Sequence, residues 1–231
     1  MNQQQQQIER FCRRLGYQFL DPQLITKALT HRSASNHHNE RLEFLGDAVL
    51  GMVIARALFT QFPKVDEGQL SRMRSSLVKG KTLAVIAKEI DLGDYINLGE
   101  GELKSGGFRR ASILADAFEA VIGAVYLDAG FEKTNTLILE LYGQRLTEIN
   151  PADTQKDAKT RLQELLQSRR LSLPEYELLD VSGEPHDQTF EVACCITEKA
   201  IQTKGSGSSR RNAEQLAAEK ALTELQQLLA S

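Results

Sequence analysis

Up to about residue 148, apolar side chains recur every three or four positions, the spacing that gives a helix one buried stripe. It predicts helices over 4–15, 22–29, 39–62, 67–91, 111–128 and 131–148. "DPQ", "FPKVDEG" and "LGEGELKSGG" interrupt them, because proline and glycine disfavour helix interiors. Alternating β-branched runs are scarce here, so the first domain reads as all-α. "EINPADTQKD" (148–157) is polar, contains a proline and reads as a linker. Then the period changes. "DAKTRLQELLQSRR" sets Leu162, Leu165 and Leu166 on one helical side, and three strand-like runs follow: "EYELLDVS", "TFEVACCIT" and "KAIQTKG". "GEPHDQ" is a turn between the first two, and "SSRRNAEQLAAEKALTELQQLLA" is strongly helix-forming. The second domain is therefore α+β, in the order α-β-β-β-α.

Within "NERLEFLGDAVL", Glu40, Glu43 and Asp47 fall inside an arc of about 60° at 100° per residue. Leu42, Leu45, Val49, Met52 and Val53 take the opposite side, so the segment alone is an amphipathic helix with a solvated acid stripe. "SILADAFEAVIGAVYLDAG" (112–130) changes that reading. Asp116 and Glu119 share one face, and their stripe continues into Ala120, Gly123 and Leu127 rather than into basic residues. A helix apolar on nearly all sides belongs in a core, where burial disfavours a carboxylate's charge. A hard divalent cation offsets that cost. Carboxylates without cysteine or a histidine cluster favour Mg²⁺ or Mn²⁺ over zinc. The chemistry served by such a site is phosphodiester hydrolysis, in many nucleases with two ions roughly 4 Å apart.

Composition narrows the partners. The chain has 231 residues and a net charge of −3. Residues 1–150 hold 18 basic and 18 acidic side chains, and 151–231 hold 10 and 13, so any nucleic-acid surface must be local. One candidate is "TKGSGSSRRNAEQLAAEKAL", which is too well framed by strand and helix to be a flexible linker. Ser209 would cap the last helix and put Arg210 and Arg211 in its first turn. Cations there oppose the helix dipole unless an anion binds, and with Lys204 they would hold phosphates. Three cysteines, Cys12, Cys194 and Cys195, make no disulfide framework and suggest a reducing cytoplasm. No apolar run approaches the roughly 18 residues of a membrane span, and "MNQQQQQIER" lacks a secretory signal. His31, His37 and His38 read as parts of a polar turn. "KSGGFRR" (104–110) reads equally as a phosphate cradle or a mobile loop.

"NERLEFLGDAVL" resembles the signature of the bacterial ribonuclease III family. "DEGQLSRMRSSLV", "LGEGELKSGGFRRASILADAFEAVIGAVYLDAG" and the linker-plus-module layout resemble the same family, from residue 8 to about 227. The resemblance implies an all-α endonuclease domain over 8–130 with a helical extension to about 148. A linker at 149–156 and a double-stranded-RNA-binding domain at 157–227 would follow. It implies Mg²⁺-dependent cleavage of double-stranded RNA by a homodimer, with no small-molecule cofactor and no membrane partner. Products would carry 5′-phosphate and 3′-hydroxyl ends with a short 3′ overhang, and processing of ribosomal RNA precursors is the family's usual task. By position, Asp47 and Glu119 would be the catalytic pair. Glu43, Asp116, Glu119 and Asp47 would bind metal, Glu40 and Glu67 would be outer acids, and Phe44 would insert into the partner subunit. Thr160, Gln163 and Glu164 would face one minor groove and Pro185 and His186 the next, with Lys204, Arg210 and Arg211 across the phosphates. Asn212 departs from the family, which often has a third basic residue there. The alternative is a catalytically silent RNA-binding scaffold, which should have lost one of the four acids; none is missing. A metal phosphohydrolase for small substrates would leave the RNA-binding module unexplained.

Overall fold

The computed structural model describes residues 3–154, 156–184 and 187–230. Its contacts divide the chain into two units, 1–155 and 156–231. The first contains α1 (Gln3–Leu15), α2 (Pro22–Ala28), α3 (Glu40–Gln61), α4 (Glu67–Val78), α5 (Gly80–Glu89), α6 (Glu100–Lys104), α7 (Ala111–Tyr142) and α8 (Gln144–Glu148). Asp21 caps α2 by accepting from the Gln23 N–H, and Asp66 caps α4 through the Gln69 N–H. No described helix is long and apolar enough to cross a membrane.

Helix α7 is the axis of this unit. Phe118, Val121, Ile122 and Val125 are fully buried on it, each contributing roughly 1.5–3 kcal/mol of apolar burial. Its most extensive contact is with α3, which buries Leu42, Val49, Leu50, Val53, Ile54 and Leu58. The two backbones approach through glycines. A Cβ on Gly46 would lie 1.7 Å from the Glu119 carbonyl oxygen, and one on Gly123 would lie 2.2 Å from the Leu42 carbonyl oxygen. Only residues without a side chain allow this crossing.

Several boundaries differ from the periodicity. The run 67–91 is two helices, because Lys79 is extended (φ −65°, ψ 145°) and turns α5 so that Leu83, Ala84, Ile86 and Ala87 are buried. A five-residue helix, α6, forms inside the "LGEGELKSGG" breaker. The break expected between 128 and 131 is a kink at Gly130 (φ 76°) inside α7, and Gly143 (φ 39°) separates α8. Met52, assigned by spacing to the core side, is 58% exposed. The all-α reading omits one feature: Thr30 bridges Asn97, with Asn97 N–H donating to Leu29 O and His31 N–H to Asn97 O. Thr30 O also accepts from Asn39 N–H, so the 30–39 loop is tied to the start of α3.

The second unit contains α9 (Ala158–Ser168), β1 (Glu175–Ser182), β2 (Thr189–Ile196), β3 (Ile201–Gly207) and α10 (Arg210–Ala230). The sheet is antiparallel in the order β1-β2-β3, with a register shift between Leu178 and Asp180. Leu162 and Leu166 of α9 share a core with Cys194, Ile196 and Ile201 and with Ala217, Ala218, Ala221, Leu222 and Leu225 of α10. Strand β3 continues through the first half of "GSGSS". At Gly205 a Cβ would lie 2.2 Å from Ala213 O and 2.4 Å from Ala217 N, so α10 rests directly on the strand backbone.

Candidate metal centre and nucleic-acid interface

The α3–α7 crossing decides which acids meet. One carboxylate oxygen each of Glu43, Asp116 and Glu119 lie within 4.8 Å of one another, the single such cluster among the described residues. Burial raises the pKa of all three. For Glu119 the charges of Asp47, Glu43 and Asp116 add to it and push the value up to about 8. Glu43 is raised by burial and then by Asp116 and Glu40. Asp116 is raised by burial, against which His31 and Arg32 pull it down.

Asp47 is more exposed than the three and outside their shared volume, yet it exerts the largest charge effect on Glu119. Glu40 pairs with Arg32 at 3.3 Å and stands 3.8 Å from His38 Nδ1. Glu67 opens α4, accepts from the Ser71 hydroxyl at 2.7 Å and lines a groove with Met52, Phe59 and Arg74, apart from the acid cluster. Phe44 is 80% exposed, on the same α3 face as exposed Met52 and Phe59.

Sequence spacing missed the cations around the acids. A cavity beside Glu43 and Asp116 is also lined by Arg32 and by Arg110, which pairs with Glu102 at 3.1 Å. Arg32 sits in a polar loop with no periodicity, and its approach depends on the Thr30–Asn97 bridge. The "KSGGFRR" segment does reach the site, through Arg110 at its end.

The donor set suits a hard divalent cation. Three carboxylates converge, one is strongly destabilised as an anion, and Arg32, which lines the same cavity, is shared with Glu40.

In the second unit, Asp157 caps α9 through Thr160 N–H, and Ser209 Oγ accepts from Asn212 N–H at the start of α10. Thr160, Gln163, Arg210 and Arg211 line one concavity with Lys159, Glu214 and Gln215. Glu164 is exposed on the outer side of α9, paired with Lys156. Lys204 does not join this set. It alternates with buried Thr203 and Gly205, points away from the helices and pairs with Glu191 at 3.6 Å. Pro185 and His186 lie outside the described residues. Sequence reading also missed Glu214, whose carboxyl Lys159 and Arg210 hold below its ordinary range.

Residues 21–146 match the Ribonuclease-III-like family, and residues 158–225 match the double-stranded RNA binding motif. The chain is 63% identical over 220 residues to Ribonuclease 3 of Shewanella amazonensis, covering 95% of this chain and 97% of that one. It is 61% identical over 211 residues to Ribonuclease 3 of Shewanella denitrificans, covering 91% and 93%. A solved nuclease domain of ribonuclease III from Campylobacter jejuni aligns with TM-score 0.59 at 47% identity, covering 59% of this chain and 96% of that one. On this evidence of sequence and fold, the chain belongs to the ribonuclease III family of endoribonucleases.

Proposed function

We propose that this chain cleaves double-stranded RNA at the α3–α7 acid cluster as a Mg²⁺-dependent homodimer. The convergence of Glu43, Asp116 and Glu119 carries the reading of the site. Glu43, Asp116 and Glu119 would hold Mg²⁺, or Mn²⁺ in its place, with Asp47 completing the acidic set and pairing with Glu119 in catalysis. The bound cation supplies phosphate anchoring, a more acidic water and charge for the leaving oxygen. Glu119, whose anion is disfavoured by burial and by Asp47, Glu43 and Asp116, would be held as a carboxylate by the cation and would orient the attacking water. Glu40 acts as an outer acid that also restrains Arg32. Glu67 is proposed as a second outer acid.

Water attack at phosphorus with loss of the 3′ oxygen leaves 5′-phosphate and 3′-hydroxyl ends. Paired subunits cutting both strands give the short 3′ overhang. Pairing is supported by the exposed Phe44, Met52 and Phe59 on α3, since a row of bare apolar side chains marks an interaction face. A Campylobacter jejuni relative is itself described with a region involved in dimer formation. The second unit would read A-form RNA through Thr160, Gln163 and Glu164, with Arg210 and Arg211 on phosphates and Pro185 and His186 in supporting contacts, while Lys204, on the far side of the sheet, drops out of this surface. Precursor ribosomal RNA in the cytoplasm is the proposed substrate pool, with some messenger and transfer RNA precursors.

The deciding experiment incubates the purified protein with duplex and single-stranded RNA, with Mg²⁺ or with chelator. Mg²⁺-dependent cutting of the duplex is expected; cleavage of single strands alone overturns the reading.

A further inference from the structure

We propose that Glu214 is a positioning residue that aims the Arg210 guanidinium at duplex phosphates, a role that rests on the α9–α10 surface binding RNA. A carboxylate one helical turn beyond two phosphate-facing arginines is an oddity. By simple Coulomb repulsion it should weaken RNA binding. Its geometry argues for a compensating role.

Glu214 is only 13% exposed, and both of its oxygens are engaged. One accepts from Arg210 Nε at 3.0 Å, and the other takes Lys159 Nζ at 2.5 Å. A guanidinium carries five N–H donors in one plane. Engaging it through Nε fixes that plane and leaves terminal Nη donors turned outward on a side chain that is 58% exposed. Those donors match two oxygens of one phosphate. Lys159 is fixed in turn, with Nζ 4.2 Å from the centre of the Tyr176 ring and its backbone N–H donating to Gln215 Oε1 at 3.2 Å. The carboxylate therefore ties the first turn of α9 to the first turn of α10. An exposed i,i+4 pair alone contributes little; this one is half-enclosed, shared and braced across two helices.

The test is duplex-RNA binding by the full chain in EDTA, followed by fluorescence anisotropy across a salt series, for wild type, Glu214→Gln and Glu214→Ala. The glutamine keeps an oxygen for Arg210 Nε, whereas alanine keeps nothing. Positioning predicts affinity in the order wild type, Gln, Ala, with Kd for the alanine variant raised about three- to tenfold. It also predicts a slope of log affinity against log salt shallower by about one, the loss of one phosphate contact. In an Arg210→Ala background, Glu214→Ala should then cost little more. Tighter or unchanged binding by both variants overturns the proposal, as does an equal further loss in the Arg210→Ala background. Should the alanine variant fail to fold, the isosteric glutamine variant and its salt slope carry the test. Failure of the wild type itself to bind duplex RNA would instead overturn the reading of the surface.

Discussion

Gly46 of α3 lies against the backbone of Glu119 on α7, so closely that a single methyl on the glycine would overlap the Glu119 carbonyl. The residue that sets the helix spacing is thus pressed against a residue of the acid cluster. Gly46→Ala should destabilise the protein by about 1–3 kcal/mol, the usual cost of overpacking, and reduce Mg²⁺-dependent cleavage disproportionately. Thermal unfolding and cleavage rates measured on the same preparation check this. An alanine variant with wild-type melting and activity would show that the crossing tolerates a Cβ.

Glu119→Gln should abolish cleavage of long duplex RNA while leaving binding nearly intact, because the substitution removes a negative charge from the acid cluster without changing shape. Gel-shift and cleavage assays in parallel separate the two effects. Cutting at the wild-type rate with Mg²⁺ would remove Glu119 from the site.

Proton linkage gives an independent check. The Glu119 carboxyl is raised from 4.5 to about 8 in the folded protein, so the folded state holds a proton that the unfolded chain releases. Its contribution to stability is fully present below about pH 4.5 and is lost as pH rises through 8. Comparing Tm in chelator from pH 5 to 9, wild type should decline more steeply than Glu119→Gln. Mg²⁺ should offset the decline increasingly at higher pH, since the cation displaces the proton.

Phe44→Ala should weaken self-association, because it removes a ring that is 80% exposed in the single chain. Sedimentation velocity over a dilution series would show the monomer appearing at higher concentration than in wild type. An unchanged profile would move the pairing surface away from Phe44.

Asp128 offers a test away from the chemistry. Its carboxylate accepts from Tyr17 Oη at 2.6 Å, Leu20 N at 2.8 Å and Asp21 N at 2.9 Å, joining α7 to the loop before α2. Desolvation raises its pKa, but the three hydrogen bonds outweigh that and the net shift is downward. This stabilisation is present above the unfolded value near 3.8 and is lost as pH falls through the folded one. Asp128→Ala should cost about 1–3 kcal/mol near neutral pH in denaturant unfolding, with the difference from wild type shrinking in acid.

Much of this was legible in the chain, for reasons that differ by residue. Helical period and carboxylate spacing located α3, α7 and the acids, because both are local patterns. The convergence of Glu43 with Asp116 and Glu119 depends on Gly46 and Gly123, whose close approach leaves only a missing side chain as its trace. Arg32 was invisible for a different reason: its position follows from a bridge between Thr30 and Asn97, far apart in sequence. Lys204 shows the limit of counting basic residues. It is near Arg210 in sequence, but strand alternation turns it to the other side of the sheet. Met52 shows the converse, since an apolar side chain at core-like spacing stands in the open.

The bare backbone of β3 beneath α10 has a consequence for substrate choice. With Gly205 in van der Waals range of the helix and Glu214 bridging to Lys159, the starts of α9 and α10 have little freedom to drift apart. A-form and B-form duplexes differ in groove width and in the spacing of phosphates across it. A module whose two helix starts are held at a fixed separation would work as a caliper, and should favour the duplex whose phosphate spacing matches that span before any base is touched.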